Sequence, residues 1–236
     1  MPTILFLMQK KLYTIFLLTT LLALSMKAQT ESTYRKEIGI GIGLTNYLGD
    51  FNGSLTKGMQ PQVSLIYKRV FNPYSALKFD LGYANIKGKS SDNTTYYPQY
   101  SEEVFTFKKS LFDLNVSYEY NFWPYGTGND YRGAVRFTPY ITIGLGATLA
   151  TGNGSTAATA NMPIGFGVKY KVAKRMNLAL EWAFHPTMSD KLDDSEAPYN
   201  IQSSGLFKNT DCYSTLRATL TYSFSANCPS CNKDSW

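Results

Sequence analysis

Glu37-Ile38-Gly39-Ile40-Gly41-Ile42-Gly43-Leu44-Thr45-Asn46-Tyr47 alternates large apolar residues with small or polar ones at a strict period of two. Neighbouring side chains of an extended chain point to opposite faces, so the isoleucines share one side and the glycines the other. A helix would scatter both sets around its circumference, so the stretch reads as a β-strand. Working outward, the same alternation returns in seven further segments: 61–71, 76–86, 111–122, 139–149, 162–172, 177–184 and 212–224.

Eight strands is an even number, and an even number brings both ends of an antiparallel barrel to one side, as bacterial outer-membrane barrels require. One face carries Leu77, Phe79, Leu81, Tyr83, then Phe112, Leu114, Val116, Tyr118, Tyr120, Phe122, then Ile164, Phe166, Val168, Tyr170, then Leu178, Leu180, Trp182, Phe184 and Leu216, Leu220, Tyr222, Phe224. The other carries Lys68, Lys78, Asp80, Asp113, Glu119, Lys169, Lys171, Glu181 and Arg217 among small polar residues. Five of those charges are positive and four negative. Confined to a narrow lumen they must largely neutralise one another, because an unpaired buried charge is costly. The expected fold is all-β: an eight-stranded antiparallel transmembrane barrel over residues 37–224 with a plugged polar lumen. A soluble barrel or sandwich has the same periodicity with the apolar face turned inward. The size of the aromatics, the continuity of the apolar face and the closing Tyr222-Ser223-Phe224 favour the membrane.

Connections follow the same logic, since such barrels have short periplasmic turns and longer outer loops. The expected outer loops are 48–60, 87–103, 150–161 and 185–211, rich in Gly, Ser, Asn, Asp and Thr. The inner turns Asn72-Pro73-Tyr74-Ser75 and Ala173-Lys174-Arg175 are tight. The third, over 123–137, is long and holds Gly126, Asn129, Asp130 and Arg132, which makes it a candidate docking loop on the periplasmic side. Near 104–110 the alternation changes phase, because Phe105 and Phe107 do not share parity with Phe112. A bulge, or a strand extended beyond the membrane, accounts for that.

Residues 1–28 read as a secretory signal peptide: Lys10 and Lys11, an apolar run over 12–24, and cleavage after Ala28. The run is shorter than the ~20 residues of a spanning helix, and no lipobox cysteine follows. A short periplasmic segment, 29–36, then leads into the barrel, and 225–236 forms a periplasmic tail. Removing Lys10, Lys11 and Lys27 takes the formal charge from +6 to +3, so the basic balance gives no support to nucleic-acid binding.

Catalytic and metal chemistry find little footing. His185 stands at a strand end near Ser189 and Asp190, residue types that a lipid-modifying enzyme needs together, but nothing in the spacing makes them converge. Asp190, Asp193, Asp194 and Glu196 match no calcium-loop spacing and read as a solvated loop. No enzyme activity, cofactor, metal or small-molecule substrate is expected. Cys212 opens the last strand at the outer rim, whereas Cys228 and Cys231 follow it in the tail. A disulfide needs Cα atoms within ~7 Å and the apolar band is ~25 Å tall, so Cys212 reaches neither. For Cys228-Pro229-Ser230-Cys231 a local bridge, a link to a periplasmic partner and a metal site all remain open.

Three stretches carry a resemblance: Glu37 through Tyr47-Leu48-Gly49-Asp50, the inner turn Val70-Phe71-Asn72-Pro73, and Glu181 through Asp190-Lys191-Leu192-Asp193-Asp194. Over essentially the whole mature chain this resembles the PorG family, small outer-membrane barrels of the type IX secretion system. The family's Asp-Tyr-Leu-Asp-Asp appears here as Asp190-Lys191-Leu192-Asp193-Asp194, and an arginine is commoner where His185 stands. The resemblance implies a non-catalytic anchor that tethers a periplasmic ring of a PorK-like lipoprotein and a PorN-like protein to the outer membrane. An OmpA-like structural barrel, or a carrier of small apolar ligands, is the alternative.

Overall fold

The computed structural model describes residues 33–48, 58–89, 106–126, 134–152, 155–188 and 211–227. The predicted signal peptide, the loop residues Asn129, Asp130 and Arg132, residues 189–210 with their Ser189 and acidic cluster, and the tail cysteines Cys228 and Cys231 lie outside the described residues.

Extended segments make up nearly all of what is described: β1 (Thr33–Leu48), β2 (Gln60–Asn72), β3 (Ser75–Lys89), β4 (Thr106–Asn121), β5 (Phe137–Gly152), β6 (Ser155–Asn161), β7 (Ile164–Ala173), β8 (Met176–Pro186) and β9 (Cys212–Asn227). Every pairing is antiparallel, and β1 joins β9, so the sheet closes on itself. β6 and β7 are two halves of one stave. Register against β5 runs on unchanged from Ile143↔Ile164 to Gly146↔Asn161. The break falls at Met162-Pro163, because proline has no N–H to give the ladder. Pro163 still accepts from the Gly144 N–H at 2.9 Å, and the Met162 N–H donates to Pro186 at 3.0 Å. The barrel therefore has eight staves.

Charges point inward and large apolar residues outward, the reverse of a soluble barrel. The outward row of β4, Phe112, Leu114, Val116, Tyr118, Tyr120 and Phe122, is exposed along its length. From Phe112 to Phe122, at about 3.4 Å per residue and a tilt of about 40°, that row spans roughly 26 Å, close to the ~25 Å apolar band of a membrane barrel. Aromatics gather at its edges. Phe71, Tyr74, Tyr120, Phe122, Trp123, Phe137 and Tyr222 ring the terminal end, where β1 begins and β9 ends, and Tyr83 packs on Phe112, centroids 5.0 Å apart, at the opposite, distal end. Aliphatic residues such as Ile40, Leu65, Leu81, Ile143 and Leu180 lie exposed between them.

Closing so small a ring requires close strand approach. A Cβ on Gly39 would sit 2.7 Å from the Thr221 Cα, and one on Gly43 2.7 Å from the Arg217 Cα. Both glycines face inward at the β1–β9 seam, which explains the small residues in the opening strand.

One expectation needs correction, and one is narrowed. Residues 150–161 are not an outer loop: β5 runs to Gly152, β6 starts at Ser155, and the pair forms a hairpin. The Ser, Thr and Ala side chains of β6 lack the large apolar face used to recognise strands, although Leu149 opposite Ala158 stands exposed on the outer face of its partner. Of the two accounts of the phase change near 104–110, the strand extended beyond the apolar belt holds and the bulge does not. β4 continues in register with β3 as far as Lys89↔Thr106, and its in–out alternation is unbroken. What inverts is the chemistry. Beyond Phe112, the inward positions become mostly apolar, with Tyr47, Ala84, Ile86, Phe107, Leu111, Ala150 and Tyr213 in one buried cluster and Lys109 buried beside them, while Lys87, Lys89 and Lys108 face outward. A wall leaving an apolar surround for water should change in this way.

Candidate functional site: a sealed lumen

An eight-stranded barrel is just wide enough inside for side chains to fill it. Lys68, Lys78, Asp80, Asp113, Glu119, Lys169, Lys171, Glu181 and Arg217 all lie there, each buried. They come from six strands, placed in layers by the register of the sheet.

Two ion-pair clusters occupy the middle. Glu119 accepts from Lys68 Nζ at 2.7 Å and also from Lys169 Nζ, and no side chain in this group is more than 7% exposed. Glu181 accepts from Lys78 Nζ at 2.6 Å and from Arg217 Nη2 at 2.6 Å, while Arg217 Nη1 also donates to Asp80. Tyr140 OH donates to Glu181 at 3.1 Å, and its ring lies 5.7 Å from Lys68 Nζ and 5.4 Å from Lys169 Nζ, so this one tyrosine touches both clusters. The first cluster sets one carboxylate against two lysines and so keeps a formal excess of one positive charge, whereas Glu181 and Asp80 balance Lys78 and Arg217 in the second.

Asp113 is held differently. Its Oδ1 accepts from Thr148 Oγ1 at 2.7 Å and from Tyr213 OH at 2.8 Å, so hydroxyls rather than a cation satisfy it. Asn161 Nδ2 donates to Thr148 at 2.7 Å, extending that layer across the barrel. Above it sits the apolar cluster, with Tyr47 edge-on to Phe107 at 5.0 Å and its hydroxyl donating to Asp211 at 2.6 Å. This distal stopper is one that strand patterning missed.

The terminal end has its own stopper. Asn177 Oδ1 accepts from Tyr125 OH at 2.9 Å and Lys171 Nζ at 3.3 Å. Its Nδ2 donates to Glu37 at 3.2 Å, and Glu37 also accepts from Thr221 and Ser223. Glu37 was missed although it shares parity with Gly39 and Gly41; carrying the alternation one step back from the first glycine places it inside. Tyr125 belongs to the long turn between β4 and β5. Its N–H donates to Pro73 at 3.0 Å, its ring lies 4.5 Å from Lys169 Nζ, and Gly126 N donates to Val135 at 3.0 Å. The base of the expected docking loop, Gly126 included, thus folds across the barrel floor.

His185 is buried inside the wall, stacked 4.5 Å from Tyr213 at 11°, with Nε2 3.3 Å from Thr215 Oγ1. Neighbours that stack and cap a ring suit packing. Cys212, half-buried at the distal start of β9 opposite Leu48 and Pro186, is a free thiol. Among the described residues no group of His, Cys, Asp and Glu has the arrangement to hold a metal ion.

Residues 10–233 match the family model described as "Domain of unknown function (DUF6089)". No curated protein matches the chain. Among solved structures, the outer membrane protein OprG from Pseudomonas aeruginosa is similar at 12% identity and TM-score 0.48, over 85% of this chain and 100% of that one. Neisserial surface protein A is similar at 17% identity and TM-score 0.45, over 80% and 97%. Ail, the attachment invasion locus protein of Yersinia pestis, is similar at 12% identity and TM-score 0.43, over 81% and 100%.

Proposed function

The chain belongs to the DUF6089 family of domains of unknown function, so its task has to be argued from geometry, and we propose that it is a non-catalytic outer-membrane anchor for a periplasmic ring of a type IX secretion machine. The observation that carries this reading is the sealed lumen. Among the described residues, Tyr125 and Asn177 at one end, two ion-pair clusters in the middle and the Tyr47–Phe107 stopper at the other fill the barrel interior with paired and packed side chains. What such a barrel still offers is attachment: an apolar belt on the outside and chain segments at either end.

Orientation follows from the connections. The tight turns at Pro73-Tyr74 and Lys174-Arg175 lie at the terminal end, and short turns are periplasmic in barrels of this kind, so the start of β1, the end of β9 and the base of the loop between β4 and β5 face the periplasm. The stretches resembling the PorG family supply the identity of the machine, and with it PorK-like and PorN-like ring partners. Outer-membrane lipid is the remaining partner.

An OmpA-like structural barrel would have the same sealed lumen, and phenotype separates the two. Deleting the gene should deplete surface-attached and secreted proteins together, and the detergent-solubilised barrel should bring ring proteins down with it. Normal secretion in the deletion strain, with a leaky envelope and the barrel recovered alone, would refute the anchor.

A further inference from the structure

The outward face of the β3–β4 pair changes chemistry in steps as it leaves the apolar belt. Its directly opposed residues run Tyr83↔Phe112, Asn85↔Ser110, Lys87↔Lys108 and Lys89↔Thr106. Tyr83 OH lies 3.2 Å from Ser110 Oγ, which donates to Asn85 Oδ1 at 3.0 Å, so an aromatic step is tied by hydrogen bonds to an amide–hydroxyl step. The step after it is cationic: Lys87, Lys89 and Lys108 are all exposed, and no carboxylate among the described residues pairs with any of them. Like charges directly opposite on a sheet are destabilising, so the Lys87–Lys108 pair carries a cost that an anion outside the wall would relieve.

We propose that Lys87, Lys89 and Lys108 form a binding site for a phosphorylated glycolipid headgroup in the outer leaflet. The site rests on the orientation argued above, which puts the distal end in that leaflet. Height supports it. From Tyr83 to Lys87 the wall rises four residues, about 14 Å along the strand and roughly 10 Å along the barrel axis at a 40° tilt. Aromatics of the girdle sit at the edge of the hydrocarbon and the headgroup layer extends a further ~5–8 Å, so ammonium groups on flexible four-carbon stems meet phosphates there. Charge fits as well, since three cations from two adjacent strands suit a headgroup with more than one phosphate. The hydroxyl and amide below them suit the sugar.

The test is a titration of the full chain in detergent micelles, followed by native mass spectrometry. The probes are diphosphoryl lipid A, its dephosphorylated form and phosphatidylglycerol. The wild type should bind diphosphoryl lipid A best and lose it with rising salt. Each single Lys→Gln change should weaken binding about fivefold and Lys87→Gln/Lys89→Gln/Lys108→Gln roughly a hundredfold. Lys36→Gln/Arg69→Gln, an outward pair at the terminal end, should leave it unchanged. Equal binding of the dephosphorylated form or of phosphatidylglycerol, or undiminished binding by a triple variant that still shows heat-modifiable migration, would overturn the site. Those results leave the anchor standing, whereas a chain that stays soluble without detergent removes the orientation and the anchor together.

Discussion

Replacing Glu181 with leucine tests whether the lumen is held by paired charges. Glu181 accepts from Lys78 Nζ at 2.8 and 2.6 Å, from Arg217 Nη2 at 2.6 Å and from Tyr140 OH at 3.1 Å. Leucine keeps the bulk and removes all four contacts. Arg217 retains Asp80, but Lys78 has no other hydrogen-bond partner among the described residues and is only 4% exposed. Stranding a buried charge by removing its partner costs about 3–5 kcal/mol. With a slope of about 2 kcal/mol/M in urea, a loss of about 4 kcal/mol moves the midpoint down by roughly 2 M. The assay is reversible urea unfolding in phospholipid vesicles, followed by tryptophan fluorescence. Lys78→Met in the same chain should restore most of the loss, because a pair replaced by apolar groups of similar volume is close to neutral. A single variant within about 1 kcal/mol of wild type, or a double variant as unstable as the single, would refute the pairing argument.

Gly43→Val should block closure of the β1–β9 seam, since its Cβ would lie 2.7 Å from the Arg217 Cα; loss of the heat-modifiable band on a semi-native gel reads this out. Leu114→Arg, in the middle of the exposed β4 row, should destabilise the barrel in vesicles by about 2–4 kcal/mol, whereas Lys108→Gln beyond the girdle should change stability little. Tyr125→Ala removes one ring over Lys169 and one hydrogen bond to Asn177 but leaves both ion-pair clusters, so wild type and variant alike should be electrically silent in planar bilayers; single-channel steps in either would mean that the lumen is open.

The strands were legible because a surround of acyl chains imposes a rule every two residues. Ile38 to Leu44 and Phe112 to Phe122 obey it without exception, and from those rows the stave number, the antiparallel closure and the inward set of charges all follow. Legibility failed where the surround changes. At Phe107 and Leu111 the inward residue becomes the apolar one, and a reader tracking the apolar face loses the strand at the point where the protein meets water. β6 disappeared for a related reason, being too small in its side chains to mark a face at all. The stoppers failed for a third. Tyr125 is not in a strand, and only the hydrogen bonds from its loop to Pro73 and Asn177 put it under the barrel, across 52 residues of sequence in each direction that no local pattern spans. Lumen partners share this difficulty: alternation says that Lys78 and Glu181 both face inward, but their meeting across 103 residues depends on the stagger of every strand between them. Parity thus assigns a residue to the inside of the wall, while the choice of its partner belongs to the closed ring.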